Sequence, residues 1–412
     1  MAWPGAAALP RFLLLYAVLY AAFGVQSPYL PALLGERGLS PEAIGLALGL
    51  GTAVRLAAGP LAGRLADRLD APRSILAICA ALAIAAALLY LPVRGGAALV
   101  AVAVIQAAAL APLAPLTDSL TLGAAAPLRA GRTGFAYGWV RGAGSAAFIA
   151  GTIVSGHAVA RMGLVAVPLL HAALLAATAL AARVAPRLAA PQPSAAAEGA
   201  IGRRAVAELL RIAPFRRVVL VAALILGSHA FHDSFAVIRW RAAGIDPGTA
   251  GLLWSVSVAA EVVVFLVVGP PLLDRLGPGP AAALAALAGA LRWTVAGATA
   301  ALPATLLIQP LHGVTFALLH LACMRRLAEI VLPRLAATAL ALYGTVGIGA
   351  ATALMTLGSG PLYAQFGARG FWAMAALCLV ALPLARTLHD EHGGAAVSFA
   401  ESRTEGQKTN AR

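Results

Sequence analysis

Of the 412 residues, 61% are hydrophobic and only 11% are charged, and the mean hydropathy is +0.87. Soluble domains carry about 25% charged residues, so this chain has too little polar surface to cover a water-soluble core, and a soluble enzyme or binding module is excluded. The net charge of +14 does not indicate nucleic acid, because the arginines fall in short loops between hydrophobic runs, the pattern of a membrane protein oriented by its positive loops.

A membrane helix needs about 20 mostly apolar residues. Twelve runs qualify: 11–34, 41–64, 73–92, 97–124, 133–160, 163–184, 214–239, 248–272, 279–299, 303–325, 335–360 and 367–388. The first run follows Arg11 but is not bounded by a cleavage site and polar mature sequence, so it reads as a membrane helix rather than a signal peptide. Most separators are short and hold Gly, Pro or Arg. The exception, 185–213, is Pro/Ala-rich and then basic, and it divides the chain six plus six. The expected architecture is an all-α membrane protein: an N-terminal bundle (1–184), a cytoplasmic central loop (185–213), a C-terminal bundle (214–388) and a polar, disordered tail (389–412). Placing the N-terminus inside puts sixteen arginines, from Arg64 through Arg129 and Arg132 to Arg334, near the cytoplasmic face. The other face receives six: Arg37, Arg94, Arg161, Arg239, Arg241 and Arg369. Both termini are thus expected in the cytoplasm.

The loop after the second run reads GRLADRLDAPR, and the loop after the eighth reads PPLLDRLGPGP. Asp67-Arg68 and Asp274-Arg275 therefore occupy matching places in the two halves. Each pair is expected to latch onto a neighbouring helix terminus and its dipole; the plainer alternative is a charged cytoplasmic turn.

Charges inside the runs carry the functional argument, since an ionised side chain at the bilayer centre costs roughly 2.5–3.5 kcal/mol on insertion scales. Glu261 lies twelve residues, roughly 18 Å, into the eighth run, and Arg292 lies twelve residues into the ninth from the opposite side. His312 follows in the tenth. In the N-terminal half, Asp118 and Arg141 are placed to face each other across a cavity, with Arg141 suited to bidentate binding of a carboxylate or sugar hydroxyls. Gln26 and Trp139 are candidate lining residues. In the seventh run His229 and Asp233 share a face at i, i+4 and are assigned to gating. Arg55 is read as a gate or helix contact rather than a substrate residue. The three cysteines, Cys79, Cys323 and Cys378, have neither paired nor metal-ligand spacing. No phosphate-binding loop, nucleophile elbow or zincin helix occurs, so neither an enzyme nor an ATP-driven pump is expected, and no cofactor is implied beyond a coupling proton.

The duplicated loop motif with twelve spans resembles the major facilitator superfamily. Three stretches, Leu48–Arg68, Tyr137–Gly151 and Gly251–Phe265, together resemble the phenylpropionate-transporter group, close to the lactose-permease-like proton symporters. The resemblance implies that Glu261, Arg292 and His312 form a proton-coupling cluster, with Thr315 where that branch carries a further carboxylate. A static buried ion pair is the alternative. The expectation is a monomeric proton symporter in a bacterial inner membrane, importing a small organic acid such as an arylpropionate. The alternatives are a sugar or nucleoside symporter, a drug/proton antiporter, or a non-transporting receptor or scaffold.

Overall fold

The computed structural model describes residues 4–125, 135–185 and 202–388. Most of the central loop, Arg129 and Arg132, and the tail from 389 lie outside the described residues. Among the described residues, eleven helices are long and apolar enough to cross a membrane. The first ten are α1 (Pro4–Gln26), α2 (Pro41–Arg68), α3 (Pro72–Leu89), α4 (Gly96–Leu122), α5 (Tyr137–Met162), α6 (Ala166–Val184), α7 (Ala213–Ala242), α8 (Pro247–Leu276), α9 (Pro278–Ala298) and α10 (Leu302–Ile330). The eleventh, Pro333–Arg386, has 54 residues and turns back at Gly367, whose φ of 54° lies in the left-handed region open to glycine. Its arms are α11 (336–366) and α12 (Gly370–Arg386).

Local sequence sets these boundaries. Proline at the first helical position starts α2, α3, α8 and α9, where its missing N–H costs nothing. Ser40 and Asp246 cap α2 and α8 by accepting from Ala43 N and Thr249 N. The expected run 11–34 is broken after Gln26 and resumes as the short helix Leu30–Glu36. The segment before α7 is not all loop, since Arg203–Arg211 is helical and Arg334 of α11's approach pairs with its Glu208. Three helices contain π turns: α8 at Val264–Val268, α10 at Gly313–Leu318 and α11 at Tyr343–Ala350. π turns concentrate at functional sites.

Packing repeats between the halves. In the first, α1 lies on α5 and α3 on α6; in the second, α7 lies on α11 and α9 on α12. The halves meet where α2 crosses α11 and α5 crosses α8. Both crossings sit at one end of the molecule and depend on glycine. A Cβ on Gly45 would lie 2.7 Å from Gly360 Cα, and one on Gly156 would lie 2.7 Å from Pro247 O. Tyr29 OH reinforces the second crossing by donating to Pro247 O at 2.6 Å. Elsewhere large apolar side chains such as Leu266, Leu307 and Leu354 face outward, as a surface in contact with lipid tails requires.

Candidate functional site

Between the halves lies a cavity of about 590 Å³, walled by α1, α2, α4 and α5 on one side and α7, α8 and α11 on the other. Its wall is mostly apolar, with Phe23, Phe148 and Trp254 supplying aromatic surface. Its two charged members are Arg55 from the first half and Asp233 from the second. Gln26 and Gln106 add amides, and Gln26 Nε2 donates to Gln106 Oε1 at 2.5 Å. This is the form of a small-molecule site, an apolar hollow with a few convergent polar groups.

Beside the cavity, in the second half, the three residues on consecutive helices come together. Arg292 NH1 lies 3.1 Å from His312 Nδ1, and His312 Nε2 lies 3.2 Å from Glu261 Oε2. The guanidinium has only donors, so Nδ1 of His312 accepts and Nε2 carries the proton given to Glu261. The imidazole thus stands between the two charges, and no Arg292–Glu261 ion pair forms among the described residues; direct partnership of those two is replaced by a three-member chain. Arg292 is fully buried, its charge lying over the Trp293 ring at 4.5 Å and its NH2 donating to Gln309 Oε1 at 3.2 Å. Glu261 and His312 keep 26% and 16% side-chain exposure whereas Arg292 is fully buried, so the acid end of the chain is the more accessible one. Arg292 Nε, Gln309 Nε2 and His232 Nε2, with no partner among the described residues, border a second cavity of about 10 Å³.

His229 belongs to the same cluster. Its Nδ1 faces the carbonyls of Ile225 and Leu226 at 3.1 and 3.2 Å and must donate, so neutral His229 accepts the Thr315 hydroxyl proton at Nε2, 2.9 Å away. Thr315 Oγ1 is also 3.2 Å from the His312 carbonyl. A cationic His229 would donate to Thr315, which then turns its proton to that carbonyl, so both charge states of His229 find partners. Asp233 does not use its i−4 neighbour His229; it bonds the adjacent His232 at 3.2 Å and opens onto the large cavity. Among the described residues no group of three or more His, Cys, Asp or Glu is arranged to hold a metal.

The first-half pair is placed otherwise than expected. Asp118 accepts from Tyr16 OH and, at 3.0 Å, from Tyr137 OH. Arg141 lies over the Tyr20 ring at 4.7 Å, and Tyr20 stacks on Tyr16. Two tyrosines therefore separate the charges, no ion pair joins them among the described residues, and neither lines the large cavity. Trp139 is 72% exposed and also lies away from it. The loop motifs differ as well. Asp274 pairs with Arg325 at the end of α10, which donates further to Leu273 O at 3.3 Å, whereas Asp67 and Arg68 are exposed. Gln106, Gln309 and Trp254 were not singled out from sequence; a polar residue in an apolar run was the available signal for the two amides.

Residues 9–374 match the MFS_1 like family. The probable 3-phenylpropionic acid transporter of Escherichia coli (strain K12) is 32% identical over 378 residues, covering 89% of this chain and 94% of that protein. The maltose permease of Geobacillus stearothermophilus is 27% identical over 379 residues, covering 92% and 93%. Among solved structures, the nucleoside transporter NupG superposes with a TM-score of 0.79 at 17% identity, covering 93% of this chain and 99% of that one. The chain belongs to the MFS_1 like family and is a multi-span transporter of the major facilitator superfamily, related to its phenylpropionate-transporter branch.

Proposed function

We propose that this protein is a proton-coupled symporter that imports a small organic acid, of the phenylpropionate kind, by alternating access. The observation that carries the reading is the buried chain Arg292–His312–Glu261. A proton added to Glu261 removes the only carboxylate in that chain and leaves the Arg292 charge unbalanced in a buried site, which favours a different packing of α8, α9 and α10. The aromatic wall of the cavity and the relative named for 3-phenylpropionic acid support the cargo class.

In this reading α11 and α12 are separate spans, giving twelve in two six-helix bundles, 1–184 and 214–388, joined by 185–213. The protein is a monomer in a bacterial inner membrane with both termini in the cytoplasm. The glycine crossings then close the outer side and the cavity opens inward. Asp274-Arg275, held through Arg325, and Asp67-Arg68 work at the cytoplasmic gate, while His229 and Asp233 adjust the outer half of α7. Asp118, one turn beyond Ala114 of the cavity wall, and Arg141 stand on the cytoplasmic approach. A neutral sugar is the second reading, favoured by the Gln26–Gln106 amide pair and by the maltose permease match.

The test is uptake of radiolabelled 3-phenylpropionate into proteoliposomes under an imposed pH gradient. The native protein accumulates the acid, and Glu261→Gln equilibrates it without accumulation. Full gradient-driven accumulation by Glu261→Gln rejects the coupling role; uptake of maltose in place of the acid rejects the cargo.

A further inference from the structure

We infer that Arg55 is the anchor for the cargo's carboxylate, so that the acid binds with its anionic end on α2 and its ring against the aromatic wall. The inference deepens the proposal above and rests on its organic-acid cargo.

Arg55 stands fourteen residues into α2, about 21 Å along the helix at 1.5 Å per residue, with thirteen more to Arg68. That depth is far from either end of a 28-residue helix, so the guanidinium does not sit where a snorkelling arginine finds headgroups and bulk water. Its side chain is exposed, and the surface it is exposed to is the wall of the central cavity. No hydrogen bond or ion pair ties it to a protein group among the described residues. The other deep arginine, Arg292, is fully buried and spoken for by His312, Gln309 and Trp293. Arg55 is therefore the cation that α2 presents to whatever fills the cavity. An ionisable group inside a membrane bundle carries a large cost unless it serves a pathway or a ligand, and a guanidinium matches a carboxylate with two parallel N–H donors.

The rest of the cavity supplies direction. Asp233, on the opposite half, repels an anion and is already engaged by His232. Thr52, one turn before Arg55, and the Gln106 amide add neutral hydrogen-bonding groups on the first-half side. Phe23 and Phe148 from that side and Trp254 from the other offer the ring its contacts. A monocarboxylate with an apolar tail satisfies all of these in one orientation; a dianion or a cation does not.

The test compares binding of 3-phenylpropionate with its neutral amide, 3-phenylpropanamide, to the purified full chain by calorimetry. The native protein prefers the acid. Arg55→Gln is expected to lose roughly 10- to 100-fold in affinity for the acid, the worth of charge-assisted hydrogen bonds, while binding the amide within about twofold, since hydrogen bonds between neutral groups are worth little net. The amide arm also reports whether the variant is folded. Arg55→Lys, which keeps the charge and loses the fork, is expected to fall between them and stands in for Arg55→Gln if that variant does not fold. If the native protein prefers the acid and Arg55→Gln retains that preference, Arg55 is not the anchor and the organic-acid reading survives. If the native protein shows no preference for the acid, both fall together.

Discussion

The two glycine crossings make the closed end of the transporter open to a steric test. A Cβ on Gly45 lies 2.7 Å from both Gly360 Cα and Gly360 N, and one on Gly156 lies 2.7 Å from Pro247 O. Carbon contacts are comfortable at about 3.5–4.0 Å, so each added atom intrudes by about 1 Å. The obstructing atoms are backbone and cannot rotate away. Overpacking of this kind costs about 1–3 kcal/mol, and it acts only on the state in which the halves touch. Each substitution thus shifts the balance toward the opposite opening by roughly 5- to 150-fold, and because the two crossings are separate contacts their effects add. The assay uses Gly45→Leu with Gly156→Leu in a background where Cys79, Cys323 and Cys378 are replaced and Ser27→Cys reports from the cavity wall. A membrane-impermeant maleimide is applied from the side of the crossings. The double variant is expected to label at least tenfold faster than its parent. A well-folded double variant labelled at the parent's rate would refute the argument that glycine is needed for closure.

Two further outcomes follow from the hydrogen bonds. Tyr16 is fully buried and donates to Asp118, so Asp118→Ala strands a hydroxyl and should cost about 1–3 kcal/mol, read as a lowered Tm in detergent; adding Tyr16→Phe should recover part of that loss, because removing both partners is cheaper than removing one. At the N-terminus of α8, hydrogen bonds from the Thr249 hydroxyl and N–H hold the Asp246 carboxyl below its ordinary value of 3.8. A depressed carboxyl contributes stability that is present above pH 3.8 and is lost as pH falls through the lower folded value. Asp246→Ala should therefore cost about 1 kcal/mol near neutrality, as loss of a helix cap does, and the gap between variant and parent in acid unfolding curves should narrow below pH 3.8; a gap independent of pH would count against the cap.

Hydropathy and charge made the spans legible because a membrane helix must hide its backbone from lipid whatever its neighbours do. The second copy of the loop motif was legible from its matching place after the eighth run, although nothing in PPLLDRLG named Arg325 as the partner of Asp274. What the sequence could not carry was the rotation of one helix against another. Glu261 and Arg292 match in depth by residue count from their helix ends, and their grouping with His312 is what the family resemblance implies; the imidazole of His312 lies between them because Gly313 lets α10 approach the backbone of α8, where a Cβ would lie 2.6 Å from Ala260 O. Asp118 and Arg141 likewise sit at matching depth, yet each is turned onto a tyrosine. Arg55 stands out in the sequence as an expensive charge suited to a gate or a helix contact; that its side chain faces the cavity depends on the phase of α2, which one polar residue in an apolar run does not define.

The π turns of α8, α10 and α11 bear on how deletions in this protein should be read. A π turn holds one residue more than an α turn, so a side chain beyond it is set about 100° from where α-helical counting puts it. Removing one residue from Val264–Val268 would therefore return α8 to regular winding and leave Asp274 at its present angle to Glu261, whereas removing one from the regular turns on either side would swing it by about 100°. Glu261 and Asp274 share α8, and their relative angle is fixed by the number of residues in the regular turns between them, with the extra residue of the π turn absorbed. A single-codon deletion inside the π turn should spare the Asp274–Arg325 pair, while one between Gly269 and Leu273 should break it without touching either side chain.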